Sequence, residues 1–169
     1  MSTIDKLFNY DEFKKQLEEM KNLSDKLLDG WIVCPEKDLE TGIFAKKKMR
    51  KIWKQNNGNE ETVTFEYHIS FNTSYSVPVI CFITYKNDGS QLSLEQSWKI
   101  LNLQAPYTML TQLDHPVLQI PFLTVHPCKT AQFIDESFKD SKNILISWLS
   151  AIGPFVGLTL HPEYFKLTH

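Results

Sequence analysis

Cysteine is scarce in this sequence, and its three copies stand far apart. They occupy positions 34, 81 and 128 of 169 residues, and no Cys-x-x-Cys pair is present. An odd number of isolated thiols is a poor basis for a disulfide framework or a zinc site. We therefore expect a protein of a reducing compartment, without a structural metal ion.

The sequence also lacks an excess of positive charge and a long apolar run. Lys and Arg number 18 against 20 Asp and Glu, which gives a net charge of −2. This balance argues against nonspecific electrostatic binding of nucleic acid by the whole protein surface. The apolar stretches around 77–85 and 144–160 are interrupted by polar residues, Gly or Pro, and fall short of the ~18 apolar residues of a membrane span. No secretory signal is visible at the amino terminus. We expect a soluble, cytoplasmic protein.

Apolar periodicity predicts a helix followed by an antiparallel meander. Asn9 and Glu12 have the spacing of a capping box, and apolar residues then recur every three or four positions until about residue 28. We expect Gly30 to end this helix. Strands are predicted at 31–34, 43–53, 62–71 and 77–85, with a hairpin turn at Asn57-Gly58. The last strand is apolar on both faces and is expected to be central.

The second half of the chain predicts helices around an irregular stretch. Ser93 and Gln96 form another capping-box pattern, and further helices are expected near 131–138 and 143–152. Residues 102–129 are rich in proline and are interpreted as irregular and functional. The predicted fold is α+β, with an antiparallel meander flanked by an N-terminal helix and C-terminal helices, in one domain covering 1–169.

The three cysteines differ in context. Cys34 and Cys81 lie within apolar strands, where a free cysteine usually belongs to the core. Cys128 follows His126-Pro127 where an apolar strand runs into a polar turn, and the adjacent Lys129 favours a reactive thiolate. In an extended segment His126 would point to the same side as Cys128. Cys128 is therefore the candidate nucleophile, with a surface cysteine of no function as the alternative.

Histidines and a basic run carry weaker signals. His68, His115 and His161 are interpreted as structural, and no pair of histidines has the spacing of a helical metal site. Six basic residues lie between positions 46 and 54: Lys46, Lys47, Lys48, Arg50, Lys51 and Lys54. We favour a solvated strand that lysines protect from edge pairing. Docking of a protein, an anionic membrane or RNA is the alternative.

Two motifs carry a resemblance to a known family. Residues 114–130, DHPVLQIPFLTVHPCKT, resemble the active-site signature of the autophagy conjugating enzymes, including its His-Pro-Cys core. Residues 146–158, ISWLSAIGPFVGL, are similar to the branch that joins the ubiquitin-like autophagy-related protein twelve to autophagy-related protein five. The resemblance implies a ubiquitin-conjugating-enzyme-like fold.

The same resemblance implies a reaction, its partners and a place. Cys128 would accept autophagy-related protein twelve as a thioester from the activating enzyme, autophagy-related protein seven, and a lysine of protein five would then attack it. Thioester exchange needs no metal or bound cofactor. Neither nucleic acid nor integral membrane contact is implied. The expected place is the cytoplasm, including a peripheral position at the autophagosome assembly site.

The sequence departs from ordinary ubiquitin-conjugating enzymes upstream of the cysteine. Those enzymes carry His-Pro-Asn, whereas this chain has His115-Pro116-Val117. The donor that stabilises the oxyanion is therefore left open. The candidates are backbone amides near Cys128, Asn72, Tyr75 and Asn102. His126 is a candidate for orienting the loop around the cysteine.

Two other functional classes remain as alternatives. A cysteine hydrolase also uses an exposed Cys and a His, but it needs an orienting residue and usually a helix that carries the nucleophile. The strand-like stretch before Cys128, ending in Pro127, argues against that class. A catalytically silent adaptor of the same fold would tolerate another residue at position 128.

Overall fold

The computed structural model describes residues 8–34, 42–101 and 110–169. A six-stranded sheet forms the centre of the fold, and all of its neighbouring strands are antiparallel. In chain order the elements are α1 (Tyr10–Leu27), β1 (Ile32–Cys34), β2 (Phe44–Lys54), β3 (Glu60–Asn72), β4 (Val77–Lys86), α2 (Leu94–Leu101), β5 (Leu110–Asp114), β6 (Pro121–Val125), α3 (Pro127–Ser137) and α4 (Ile144–Ile152). Two 3-10 turns follow, at Gly153–Val156 and Pro162–Leu167. The predicted α+β class is confirmed.

Helix α1 begins as the sequence indicates and ends slightly differently. The Asn9 side chain accepts a hydrogen bond from the Glu12 amide at 2.8 Å, which caps the helix. Phe13, Leu17 and Met20 form its fully buried face. The left-handed residue at the carboxyl end is Leu28, with φ of 55°, and not the predicted Gly30. The Leu28 amide bonds to the Ser24 carbonyl and so closes the last turn.

The predicted meander is confirmed in β1 to β4. The turn between β2 and β3 contains Gly58 at φ of 83°, which explains the Asn-Gly signal. Strand β4 is buried on both faces over most of its length and lies between β3 and β6, so the expected central position is correct.

The prediction of an irregular stretch at 102–129 is wrong from residue 110 onward. Strands β5 and β6 form a hairpin, and β6 pairs with β4, with Cys81 opposite Thr124 and Phe82 opposite Leu123. The prolines fit this hairpin because Pro121 is the first residue of β6 and Pro116 lies in the turn, where no ladder hydrogen bond is required. Residues 102–109, which include Asn102, lie outside the described residues.

One face of the sheet, called here the inner face, packs against α1 and α4. Phe65 and Tyr67 of β3 join Leu149 of α4 in a single apolar cluster. The predicted helix near 143–152 is confirmed as α4, capped by the buried side chain of Asn143, which accepts from the Ile146 amide at 2.9 Å. Within the described ranges, no helix has the length and apolar character needed to cross a membrane.

The turn after α4 is tied to the inner face by two side chains of the sheet. The Tyr67 hydroxyl donates to the Val156 carbonyl at 2.5 Å, and the Lys51 ammonium donates to the Gly157 carbonyl. Gly157 has φ of 77°, and a Cβ on it would lie 2.7 Å from the Leu101 side chain. These contacts give a structural reason for Gly157 in the second motif.

Candidate active site

Cys128 lies in the first turn of a helix, with its side chain exposed to solvent. The sequence predicted a turn at this point and a helix beginning near residue 131, whereas α3 begins at Pro127. Proline suits the first helical position because that residue needs no amide hydrogen and its φ is already helical. The strand β6 ends at Val125, so the chain passes from a buried strand to an exposed sulfur within three residues.

His126 caps this helix through its ring. Its Nδ1 atom accepts a hydrogen bond from the backbone amide of Cys128 at 3.1 Å. This hydrogen bond joins the ring to the Cys128 amide. The extended segment that was expected to place the ring near the sulfur is absent, because α3 begins at Pro127. A neutral ring that accepts at Nδ1 carries its proton on Nε2. His126 therefore holds the backbone of the residue that bears the thiol.

The same arrangement occurs at all three His-Pro dipeptides. His115 Nδ1 accepts from the Val117 amide at 3.1 Å, and His161 Nδ1 accepts from the Glu163 amide at 3.2 Å. In each case proline fixes the backbone after the histidine, and the ring turns back to the amide two residues on. The His-Pro dipeptide itself is the local sequence signal for this capping, and it was not among the predictions from the sequence.

The turn between β3 and β4 reaches the candidate site. The Tyr75 ring lies edge-on to the His126 ring, with centroids 6.3 Å apart, and the tyrosine is 47% exposed. The Asn72 side-chain oxygen accepts from the Tyr75 amide at 3.0 Å and so shapes this turn. Of the three side chains named as oxyanion donors, Tyr75 contacts the histidine beside Cys128, Asn72 supports Tyr75, and Asn102 lies outside the described residues.

The other two cysteines lie elsewhere. Cys81 is fully buried in β4, its thiol lies 3.7 Å from the His68 carbonyl, and burial raises the pKa of this thiol. Cys34 is half-buried in the edge strand β1, so its predicted core position is too deep. The exposed thiol at Cys128 thus differs from both.

A buried pair of histidines lies on the outer face of the sheet, opposite the helices. His68 of β3 and His115 of the β5–β6 turn are 3.0 Å apart between Nδ1 and Nε2, and His68 Nε2 lies 2.9 Å from a Glu66 oxygen. The Phe44 ring stacks on His68 with centroids 5.0 Å apart. Both histidines have the structural position that the sequence predicted.

Burial sets the protonation of this pair. Desolvation lowers the pKa of His115 to about 4, and the neighbouring His68 adds to the shift. Desolvation also lowers the pKa of His68, although the hydrogen bond and charge of Glu66 act in the opposite direction. Both rings are therefore neutral near pH 7.

The basic run is divided between the two faces of the sheet. Lys47 and Lys51 face inward, where Lys47 Nζ lies 3.8 Å from an Asp29 oxygen and Lys51 bonds to Gly157. Lys48 and Arg50 are exposed on the outer face. Strand β1 pairs with β2 as far as Lys46, and in the described part of the chain the rest of β2 has a strand on one side alone. The interpretation of lysines along an edge is consistent with this pairing.

No group of three or more metal-binding side chains occurs in the part of the chain that the structure describes. The groups that the structure brings together at the candidate site are a thiol, a capping histidine and backbone amides. Such a set can form and break a thioester, because a thiolate is both a good nucleophile and a good leaving group.

Comparison with known sequences places the chain. Residues 9–163 match the family described as "Autophagocytosis associated protein, active-site domain". The ubiquitin-like-conjugating enzyme ATG10 of Homo sapiens is 40% identical over an alignment of 121 residues, and the match covers 64% of this chain and 55% of that protein. For the protein of the same name in Arabidopsis thaliana the identity is 32% over an alignment of 115 residues, and the match covers 59% of this chain and 51% of that protein. The matched stretch thus spans about half the length of these relatives.

Solved structures agree on the fold. A crystal structure of the autophagic E2 Atg10 superposes with a TM-score of 0.62 at 16% identity, and the match covers 89% of this chain and 98% of that one. Solution structures of KmAtg10 give 0.51 at 19% identity, covering 88% and 95%. The predicted resemblance, including its ATG10-like branch, is confirmed. The chain belongs to the family of the autophagocytosis-associated protein active-site domain.

Proposed function

We propose that this chain is a ubiquitin-like-conjugating enzyme of autophagy that acts through Cys128. It would receive autophagy-related protein twelve from protein seven and transfer it to a lysine of protein five. The observation that carries the proposal is the position of Cys128, an exposed thiol in the first turn of α3 held by the His126 cap. The relatives' name supports the class of reaction.

The proposed chemistry balances without a cofactor. The Cys128 thiolate attacks the thioester carbonyl on the activating enzyme, forms a new carbon–sulfur bond and releases the enzyme's thiolate. The neutral amine of the acceptor lysine then attacks the Cys128 thioester. The carbon–sulfur bond breaks, the Cys128 thiolate leaves, and the amine proton passes to solvent as the isopeptide bond forms.

Backbone amides are the first candidates for the oxyanion donor. Pro127 has no amide hydrogen, and the Cys128 amide is already bonded to His126. The amide of Lys129 is the next in the first turn, where backbone amides have no partner within a helix. The partial positive charge at the start of a helix also favours a developing oxyanion. Tyr75 remains the side-chain candidate because of its contact with His126.

The two alternative functions predict different behaviour at Cys128. One argument against a cysteine hydrolase is lost, since Cys128 does lie on a helix. A second argument replaces it: the His126 Nδ1 is bonded to the Cys128 amide, and this ring position cannot also accept the thiol proton. A silent adaptor would form no covalent adduct at all.

The decisive experiment is an adduct assay with purified components. The full chain is incubated with protein seven, ATP and protein twelve, and the products are separated on non-reducing gels. We expect an adduct that reductant removes, a more stable oxyester with Cys128→Ser, and subsequent transfer to protein five. A hydrolase would instead release free protein twelve without a stable oxyester.

The cysteine variants supply the matched controls. Cys34→Ala and Cys81→Ala should still form the adduct, whereas Cys128→Ala should not. If Cys128→Ala forms it and another variant does not, the site is assigned wrongly. Absence of any adduct would favour the adaptor.

Three further proposals accompany this function. The chain forms a single domain over 1–169, it is located in the cytoplasm with peripheral placement at the autophagosome assembly site, and it has no nucleic-acid partner.

A further inference from the structure

A cleft lined by two tryptophans and three lysines lies at the β2–β3 end of the sheet. We call it the tryptophan cleft; it has a volume of about 610 Å³, and its walls include Trp53, Trp98, Lys54, Lys86 and Lys99. These residues come from the ends of β2 and β4 and from α2, so three separate elements bring them together. The candidate active site uses none of them.

The charge of the tryptophan cleft is one-sided. Its lining includes three lysines and, among the described residues, no carboxylate. Lys54 Nζ lies 3.7 Å from a Glu60 oxygen, but both side chains are mostly exposed, at 79% and 55%. Asp88 follows Lys86 by two residues and accepts hydrogen bonds from Ser90. The cleft therefore presents positive charge on a protein whose net charge is −2.

The apolar part of the cleft is aromatic. Trp53 is half-buried and so presents part of its indole to solvent beside the ammonium groups, whereas Trp98 is 9% exposed and belongs to the buried core. Aromatic surface beside cations fits a ligand that combines negative charge with a large apolar side chain. The cleft lies open at the surface, whereas small-molecule sites bury most of their ligand, which favours a peptide segment over a nucleotide.

We propose that the tryptophan cleft binds an acidic peptide segment of a partner protein, with one large apolar side chain placed against Trp53. Carboxylates before and after that side chain would lie near Lys86, Lys99 and Lys54. Affinity would come mainly from the indole contact, and the lysines would set specificity for negative charge.

The cleft is separate from the candidate active site. Strand β3 runs from Glu60, beside the cleft, to Asn72, beside the Tyr75 turn. At ~3.3 Å per residue, its two ends lie about 40 Å apart. A peptide in the cleft leaves Cys128 accessible and acts as a second attachment point for a partner, which raises the local concentration of that partner.

The test uses a peptide of defined sequence and the intact chain. The probe is the capped peptide Glu-Asp-Phe-Glu-Glu, and binding is measured by tryptophan fluorescence and by calorimetry. Trp31, Trp98 and Trp148 are buried, so a fluorescence change reports mainly on Trp53. We expect saturable binding that weakens at least fivefold between 50 and 300 mM salt, because exposed charge pairs are screened.

Variants and control peptides make the test specific. Lys86→Glu/Lys99→Glu should weaken binding at least fivefold. The matched double variant Lys26→Glu/Lys139→Glu, with the same net charge and both sites exposed elsewhere, should bind normally. Trp53→Ala should weaken binding more than Trp53→Phe. The peptide with Lys in place of each acidic residue, and the peptide with Ala in place of Phe, should bind at least fivefold more weakly.

Several outcomes would overturn the proposal. These are no saturable binding of the acidic peptide, equal binding of the basic peptide, or normal binding by Lys86→Glu/Lys99→Glu. Binding of ATP without binding of the peptide would show that the cleft is a nucleotide site instead. Circular dichroism confirms that each variant is folded. Thioester formation on Cys128, measured at saturating protein seven and protein twelve, should be unchanged in Lys86→Glu/Lys99→Glu, so failure here is distinguishable from failure of the proposed reaction.

Discussion

The hydrogen bond between His115 and His68 has a defined direction. His115 Nδ1 accepts from the Val117 and Leu118 amides, each at 3.1 Å, so a neutral His115 carries its proton on Nε2. It donates this proton to His68 Nδ1, 3.0 Å away. His68 then donates through Nε2 to Glu66. The hydrogen bonds therefore all donate in one direction, from His115 in the β5–β6 turn through His68 to the Glu66 carboxylate on β3.

Acid should destabilise the protein through this pair. An unfolded histidine titrates near 6.5, whereas folded His115 has its pKa lowered to about 4. Between these values the unfolded chain binds more protons, so stability falls as pH drops from about 6.5 to about 4. For His115 the loss is on the order of 3 kcal/mol at pH 4. Urea unfolding at a series of pH values measures it.

His115→Asn is the matching variant for this prediction. An asparagine oxygen can still accept from the Val117 amide, but it does not titrate. The variant should be less stable than the wild type at pH 7, and the difference between the two should shrink as pH falls. A difference that stays constant from pH 7 to pH 4.5 would contradict the assignment of a neutral, buried His115.

His126→Ala should slow thioester formation on Cys128. The substitution removes the N-cap of α3 and costs about 1 kcal/mol of stability. Because the cap holds the backbone of the reactive residue, thioester formation should fall by about fivefold or more, a loss typical of misplaced reacting groups. His126→Asn, which keeps a capping oxygen, should recover most of the rate in a single-turnover assay.

His161→Ala is the control for a general effect of lost capping. His161 caps its own turn with the same Nδ1 contact to the amide two residues on. Its loss should cost a similar amount of stability without changing the rate at Cys128. Equal rates for His126→Ala and His161→Ala would show that His126 has no special role at the site.

Local patterns were sufficient to predict most of the fold. The Ser93 and Gln96 capping box is present with both of its hydrogen bonds, at 3.0 and 3.2 Å. The strand predicted at 62–71 is confirmed as β3, in which the alternate residues Phe65 and Tyr67 are fully buried. Strands β5 and β6 are five residues each and contain or adjoin prolines, so their pairing depends on β4 and not on local preference.

Gly157→Ala should destabilise the turn after α4. An alanine at φ of 77° is strained, and its Cβ would approach the Leu101 side chain to 2.7 Å and displace the Lys51 ammonium. The expected loss is about 2 kcal/mol or more, measured by thermal or urea unfolding. Gly89→Ala is the control: Gly89 has φ of 84° but no atom near its added Cβ, so its cost should be limited to about 1 kcal/mol of backbone strain.

The two interpretations of the basic run in β2, edge protection and protein docking, make different predictions for binding of protein five. Docking predicts that Lys48→Glu/Arg50→Glu, which reverses two outer-face charges beside the open edge of the strand, weakens binding of protein five about tenfold in a pull-down or calorimetric titration. Lys47 is a poor choice for this experiment because it is held beside Asp29 on the inner face. The control is Lys26→Glu/Lys139→Glu. Normal binding would favour the interpretation that these lysines merely protect the edge.

The exposure of Cys128 was predicted correctly from the change from apolar strand to polar turn, but the local structure around it was not. The sequence predicts an extended segment that ends at Pro127, whereas Pro127 is the first residue of helix α3. The contact between Tyr75 and His126 joins residues 51 positions apart, so it depends on tertiary packing that no local pattern reports.

The short pairing of β4 with β6 affects how the sheet can unfold locally. In the described sheet it consists of two residue pairs, Cys81 with Thr124 and Phe82 with Leu123, whereas β3 is paired with β4 from Val63 to Asn72. The β5–β6 hairpin leads directly into α3, so Cys128, the proposed nucleophile, lies on the hairpin side of this short pairing. If the β4–β6 pairing opened, the β5–β6 hairpin and Cys128 would separate from strands β1 to β4, and those four strands would remain folded. A partner that contacts both the β5–β6 hairpin and strands β1 to β4 would keep the β4–β6 pairing closed. Its binding would then be thermodynamically linked to the reactivity of the Cys128 thiol.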